Sequence, residues 1–237
     1  MKNPVIYGIG NALVDHLIFG PGVSASYQAM STGAAESPLL NTLIRLSSLD
    51  VPCGFIGGNL DAQTFLNSKI QHAEWILFEG SLWEQTNNVP TLMHQAHQAK
   101  NRGQWVMLTL PDKGCIQKNQ KHFLKFIVEN HAMVFGATHE YQALLRTQDL
   151  THMIQRIQDI SPLAILTMEE KGTLILDKQN RISVPPPQGF GTDISGFLCG
   201  FLYGIINGYD LKQCGDFANV CAGKTALYDN NISSPTK

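Results

Sequence analysis

At 237 residues with 43% hydrophobic content, the chain can bury one substantial core, and a single domain over 1–237 is expected. A formal net charge of -2 gives no electrostatic basis for binding nucleic acid or an anionic membrane. Five cysteines (Cys53, Cys115, Cys199, Cys214 and Cys221) form no C-x-x-C pair and no zinc spacing, so thiols in a reducing compartment are the economical reading.

The opening MKNPVIYGIG is a short apolar run closed by glycines, which suits a buried first strand over 4–10 rather than a secretory leader. The longest apolar stretch, near 194–206, is too short and too glycine-rich to span a bilayer. Cytoplasmic localisation is therefore expected. Asn11 and Asp15 follow the first strand in GNALVDHL, where an Asn/Asp turn alone would account for them. Residues 20–37 are small, polar and glycine-bearing and read as loop. Ser37 and Pro38 then form an N-cap and first-turn pair for a helix over 38–48 with Leu39, Leu43 and Leu46 on its apolar face.

Residues 51–58 read as the next strand, followed by an apolar-periodic helix and by WILFEGSLWE at 75–84, a strand and a turn. An amphipathic helix over 88–102 carries Val89, Leu92, Ala96 and Ala99 and closes at Gly103. The continuous apolar run at 104–112 suits a buried parallel strand. Residues 163–176 read as strand, turn, strand, with Lys171-Gly172 in the turn. Strands alternating with helices at this pitch predict a parallel sheet with helices on both faces. From Pro185 a Pro/Gly-rich loop leads into an apolar helix over 195–207, with glycines at 196, 200 and 204 on one face. Something must approach that face closely, and a helix start behind such a loop can serve an anion. A last helix covers 210–228. His94 and His97 could share a helix face, but no carboxylate or cysteine at metal spacing joins them, and surface histidines are the better reading.

The run Gly196-Phe197-Leu198-Cys199-Gly200-Phe201-Leu202 resembles the signature helix of the ribokinase-like (PfkB) carbohydrate kinases, L-F-A-A-G-F-L. GNALVD resembles the opening of the adenosine-kinase-like branch of that family, and WILFEGSLWE resembles its Y-L-E-G-Y-L-W-D. GCIQKNQKHFLKFI, AMVFGATHEYQALL and LTMEEKG likewise resemble family segments, so the likeness spans most of the chain, with gaps near 20–35 and 58–72. It implies a ribokinase-like three-layer α/β/α sandwich with a mostly parallel central sheet. The family's β-rich lid is reduced or absent, and the bare sheet edge left behind would offer a homodimer surface.

The same resemblance implies ATP- and Mg-dependent transfer of a phosphoryl group to a sugar or nucleoside hydroxyl. It implies Asn11, Asp15 and Gly33 as substrate contacts, and Thr167, Glu169, Gly191, Thr192, Asp193 and Ile194 as the nucleotide and anion loop. Glu140 would be an indirect link to Mg, although helix N-terminal electrostatics explain it equally well. Several family positions are altered. The loop glycine becomes Thr32, an asparagine becomes Ser37, another becomes Ala137, and the catalytic aspartate falls on Ser195. A serine hydroxyl is a donor of far too high a pKa to act as a base near neutrality, and loss of a general base typically costs ~10²–10⁴ in rate. Asp193 and Glu169 place carboxylates along the expected phosphate path, which counts against nucleotide binding. The expectation is an impaired kinase homologue in which Ser195 caps the helix. The alternative is a working kinase whose remodelled loop makes Asp193 the base.

Overall fold

The computed structural model describes residues 5–12, 16–19, 37–57, 60, 62–186 and 193–223. Nine strands join one sheet in the order β2-β3-β1-β4-β5-β6-β7-β8-β9. They are β1 (Ile6–Ile9), β2 (His16–Phe19), β3 (Cys53–Ile56), β4 (Trp75–Glu79), β5 (Trp105–Thr109), β6 (Met133–Ala137), β7 (Leu163–Thr167), β8 (Thr173–Asp177) and β9 (Arg181–Val184). The central run from β3 through β1 to β7 is parallel, with Ile6 opposite both Cys53 and Trp75. Strands β2, β8 and β9 are antiparallel additions, so β2 and β9 form the edges.

Side chains of the parallel strands alternate between two apolar layers, because successive Cβ atoms point to opposite faces. Tyr7, Ile76, Phe78, Val106, Leu108 and Val134 pack on one face. Their helices are α2 (Ala62–Asn67), α3 (Val89–Asn101), α4 (Lys113–Asn130), α5 (Thr138–Leu145) and α6 (Leu150–Ile160). Ile6, Trp75, Leu77, Met107 and Phe135 pack on the other, beneath α1 (Pro38–Ser48), α7 (Ile194–Ile206) and α8 (Leu211–Gly223). Both sheet faces are therefore covered, which is why the central strands read as continuous apolar runs rather than alternating ones. The expected α/β/α layering and mostly parallel sheet are what the chain adopts.

Helix boundaries follow local chemistry. Ser37 accepts the Leu40 N–H at 3.1 Å and Pro38 opens α1, as the sequence predicted. Asp112 and Asp149 cap α4 and α6 in the same way. Three elements were not anticipated. Residues 181–184 form an edge strand instead of leading directly into the loop, 16–19 pair antiparallel with β3, and α6 completes one helical layer. Every described strand belongs to the one sheet; the segments at 20–36, 58–59 and 61, where a lid was expected to be curtailed, lie outside the described residues. Among the described residues no helix is long and apolar enough to cross a membrane.

Candidate functional site

The parallel strands end on one side of the sheet, and a cavity of about 320 Å³ opens there between the N-termini of α1 and α7. Crevices outside the carboxyl ends of parallel strands are where α/β proteins bind ligands, above all where the strand order reverses. Here the order reverses at β1, which lies between β3 and β4.

Glu79, the last residue of β4, sits at that reversal. Its Oε2 accepts the Asn11 backbone N–H at 3.0 Å and the Ser37 hydroxyl at 2.7 Å, tying the end of β1 to the cap of α1. Burial pushes its carboxyl above the ordinary range, while the bonds from Ser37, from the Asn11 backbone and from Ser81 pull it back. Gly10 is required beside it, since a Cβ there would lie 2.4 Å from Glu79 Oε2. Ser37 thus has two duties, donating to Glu79 and capping α1 with the same oxygen.

The opposite wall comes from the ends of β5 and β6. Asp112 accepts the Gly114 and Cys115 N–H groups at 2.7 and 3.2 Å, and its segment lines the cavity. Glu140 reaches back from the first turn of α5 to accept the Ala137 N–H at 2.7 Å. Burial raises its carboxyl to about 7, with Asp112 adding to the rise and the Ala137 bond opposing it. Among the described residues, the lining contains three carboxyl side chains (Glu79, Asp112 and Glu140) and no lysine, arginine or histidine.

At the α7 terminus the expected roles change. Asp193, not Ser195, is the N-cap: its Oδ1 accepts the Gly196 N–H at 3.0 Å. Its Oδ2 is paired with the guanidinium of Arg45 from α1. The charge of Asp193 is thus compensated, which removes half of the electrostatic case against phosphate. Ser195 lies in the first turn and donates to the Pro38 carbonyl at 3.0 Å, fastening α7 to α1 instead of capping its own helix or facing the cavity. The helix starts at Ile194, one residue before the expected 195, and Asp193, the residue just ahead of that boundary, takes the cap.

Of the remaining expected contacts, Thr167 and Ile194 line the cavity, and Thr167 Oγ1 donates to the Gly136 carbonyl at 3.4 Å. Glu169 does not line it: the residue is exposed in a tight turn, with φ of 49°. Asn11 is exposed and reaches the site through its backbone N–H. Asp15, Gly33, Gly191 and Thr192 lie outside the described residues. Glu79 had not been singled out from the sequence. Its signal was a lone charge closing the apolar run WILFE, a place where an acid is buried only if its oxygens are used.

A search of curated proteins found no match. Among solved structures, a probable sugar kinase protein from Rhizobium etli CFN 42 superimposes with a TM-score of 0.74 at 18% identity, covering 94% of this chain and 93% of that one. The adenosine kinase from Sinorhizobium meliloti gives 0.71 at 17% identity over 94% and 93%. That of Anopheles gambiae, solved with a di(adenosine) tetraphosphate, gives 0.69 at 14% over 94% and 98%. These likenesses establish the fold. The profile of the pfkB family of carbohydrate kinases matches residues 54–237, most of the chain, and the signature helix, the parallel sheet and the cleft at its carboxyl edge accord with it: the chain belongs to the PfkB family of carbohydrate kinases.

Proposed function

We propose that the chain is a PfkB-family protein that binds a small hydroxylated molecule, a sugar or nucleoside, in the cleft between α1 and α7 and transfers phosphate poorly or not at all. The observation that carries this is the α7 N-terminus. Phosphoryl transfer to a hydroxyl requires a carboxylate there that can take a proton from substrate. Ser195 is a donor already bonded to Pro38, and both oxygens of Asp193 are engaged, one by Gly196 and one by Arg45.

ATP and Mg are the cofactors that family membership implies. The described acids do not fit a divalent cation: Glu140 is committed to the Ala137 N–H and is held near neutrality in pKa, and no cluster of three metal-ligating side chains forms among the described residues. No step is assigned through either group. The hydroxyls of Ser81, Thr42 and Thr109 line the same cavity as Glu79; Thr42 and Thr109 donate to the backbone carbonyls of Pro38 and Phe78, so their oxygens are left as acceptors for a polyol.

The test is calorimetric titration with adenosine, simple sugars and ATP–Mg, followed by phosphoryl transfer on whichever binds. Ligand binding without turnover, unchanged by Ser195→Ala, is expected. Robust wild-type turnover that survives Ser195→Ala and collapses in Asp193→Asn would instead make Asp193 the base of a working kinase, freed from Arg45 when substrate binds.

A further inference from the structure

A second recess lies beside the cleft. Asp112 and Glu140 line the cleft, whereas their chain neighbours Lys113 and His139 line a groove of about 630 Å³ between α4 and α5. Gln117, Gln142, Arg146 and Gln148 contribute to the same groove, and among the described residues no carboxyl lines it. Lys113 and Arg146 are exposed and form no ion pair among the described residues. His139, its side chain 60% exposed, stands 3.9 Å from Glu140 Oε1. The acids nearest in sequence serve helix starts instead. Asp112 accepts the Gly114 and Cys115 N–H groups, Glu140 the Ala137 N–H, and Asp149 those of Thr151 and His152.

Local structure does not account for the two permanent cations. Lys113 is the first residue of the 18-residue α4, where the helix dipole is positive and a cation is unfavourable. Arg146 follows α5 with φ of 52°, in the left-handed region that suits glycine or asparagine. Its charge suits the negative end of α5, but its backbone does not suit arginine. Positions that oppose their own element are where a sequence most often serves a ligand. The groove offers an ammonium, a guanidinium, an imidazole and three primary amides. A guanidinium meets two phosphate oxygens at once, a lysine meets them as a point charge, and the amides donate to those that remain. We propose that the α4–α5 groove binds the phosphate or diphosphate group of a soluble molecule, at a site separate from the cleft. The site stands whether or not the chain transfers phosphate.

The probe is inorganic pyrophosphate, titrated by calorimetry at about pH 7 and fixed ionic strength, without divalent cations. Wild type should bind it saturably, with a Kd of about 1 mM or tighter. Lys113→Gln and Arg146→Asn should each weaken binding roughly tenfold, as for the loss of a charge-assisted hydrogen bond. Their urea midpoints should stay close to wild type or rise, because each change relieves an unfavourable local position. That combination separates a ligand site from a structural role. Sharply lower midpoints in both variants would mean that the cations serve the fold, and the proposal fails. Undiminished binding in both variants, or no saturable binding by wild type, overturns it equally. Vesicles carrying phosphatidic acid form the last arm: capture on them without any pyrophosphate binding would assign the groove to a lipid surface and sink the soluble-ligand site.

Discussion

Glu140 couples the site to pH. Its carboxyl is raised from 4.5 to about 7 by burial. Between those values the folded chain keeps a proton that the unfolded chain releases, so this group lowers stability as pH rises through the window and does nothing below it. The full shift converts at about 1.4 kcal/mol per pKa unit, and partial solvent access reduces the effect to on the order of 2 kcal/mol. Glu140→Gln should therefore match wild type in urea unfolding at about pH 4 and exceed it by that amount at about pH 8. A stability difference that stays constant across this range would show that Glu140 does not titrate in the fold. Asp193 makes the opposite case, because its carboxylate is used twice. Asp193→Ala should lose the α7 cap, about 1 kcal/mol, and leave the Arg45 guanidinium without that counterion, for a total of about 2–3 kcal/mol. Ser195→Ala removes a single bond to Pro38 and should cost about 1 kcal/mol. Urea midpoints would reverse the assignment of the cap if Ser195→Ala proved the more damaging of the two.

Among elements, the α7–α8 pair shows why the small residues of the signature helix are needed. A Cβ on Gly200 would lie 2.8 Å from the Ala218 Cα and 2.9 Å from the Cys221 Sγ, and one on Gly204 would lie 2.9 Å from the Cys214 Sγ. Backbone cannot rotate away as a side chain can, so Gly200→Ala should destabilise by about 1–3 kcal/mol despite alanine's better helix propensity of roughly 1 kcal/mol. A variant at least as stable as wild type in a denaturant titration would mean that the helices do not touch there. This close approach was legible in the sequence, because a spacing of four puts Gly196, Gly200 and Gly204 on one stripe whatever they pack against. The parallel core was legible for the same kind of reason: strands buried on both faces must be apolar throughout. Edge elements were not. β9 alternates, with Arg181 and Ser183 exposed, but it is only four residues long, and its pairing with β8 depends on a partner that sequence spacing does not announce. The site was half legible. Ser37 as a cap follows from its neighbour Pro38, but its bond to Glu79 spans 42 residues of sequence and exists only once β1, β4 and α1 meet. The cap of α7 was misplaced because family alignment fixes homologous columns, while a helix starts where a side chain can reach its free N–H groups.

For the whole molecule, the question is whether the two apolar layers melt together. The sheet separates them: Trp83 is buried with Phe123 and Phe126 on one face, and Trp75 is packed in the layer beneath α1, α7 and α8 on the other. Yet the layers share every central strand, since Trp75 and Ile76 are neighbours in β4 and point to opposite faces. Losing either layer would expose one side of strands whose residues are apolar on both, and an open parallel sheet with one bare face is not a stable arrangement. We therefore propose that 1–237 behaves as one cooperative domain. The three tryptophans allow a direct test. Replacing Trp105, which is 51% exposed, by phenylalanine leaves one buried reporter in each layer, and removing either of these in turn leaves the other alone. Fluorescence of the Trp75-only and Trp83-only variants should follow the far-ultraviolet circular dichroism of the same sample through a single urea transition, with coincident midpoints and equal slopes. Within each variant the comparison of probes is internal, so any loss of stability from the substitutions themselves cancels. If Trp75 emission changes ahead of circular dichroism in its variant while Trp83 emission lags it in the other, the α1–α7–α8 layer comes away first and the chain is two cooperative units stacked on a shared sheet.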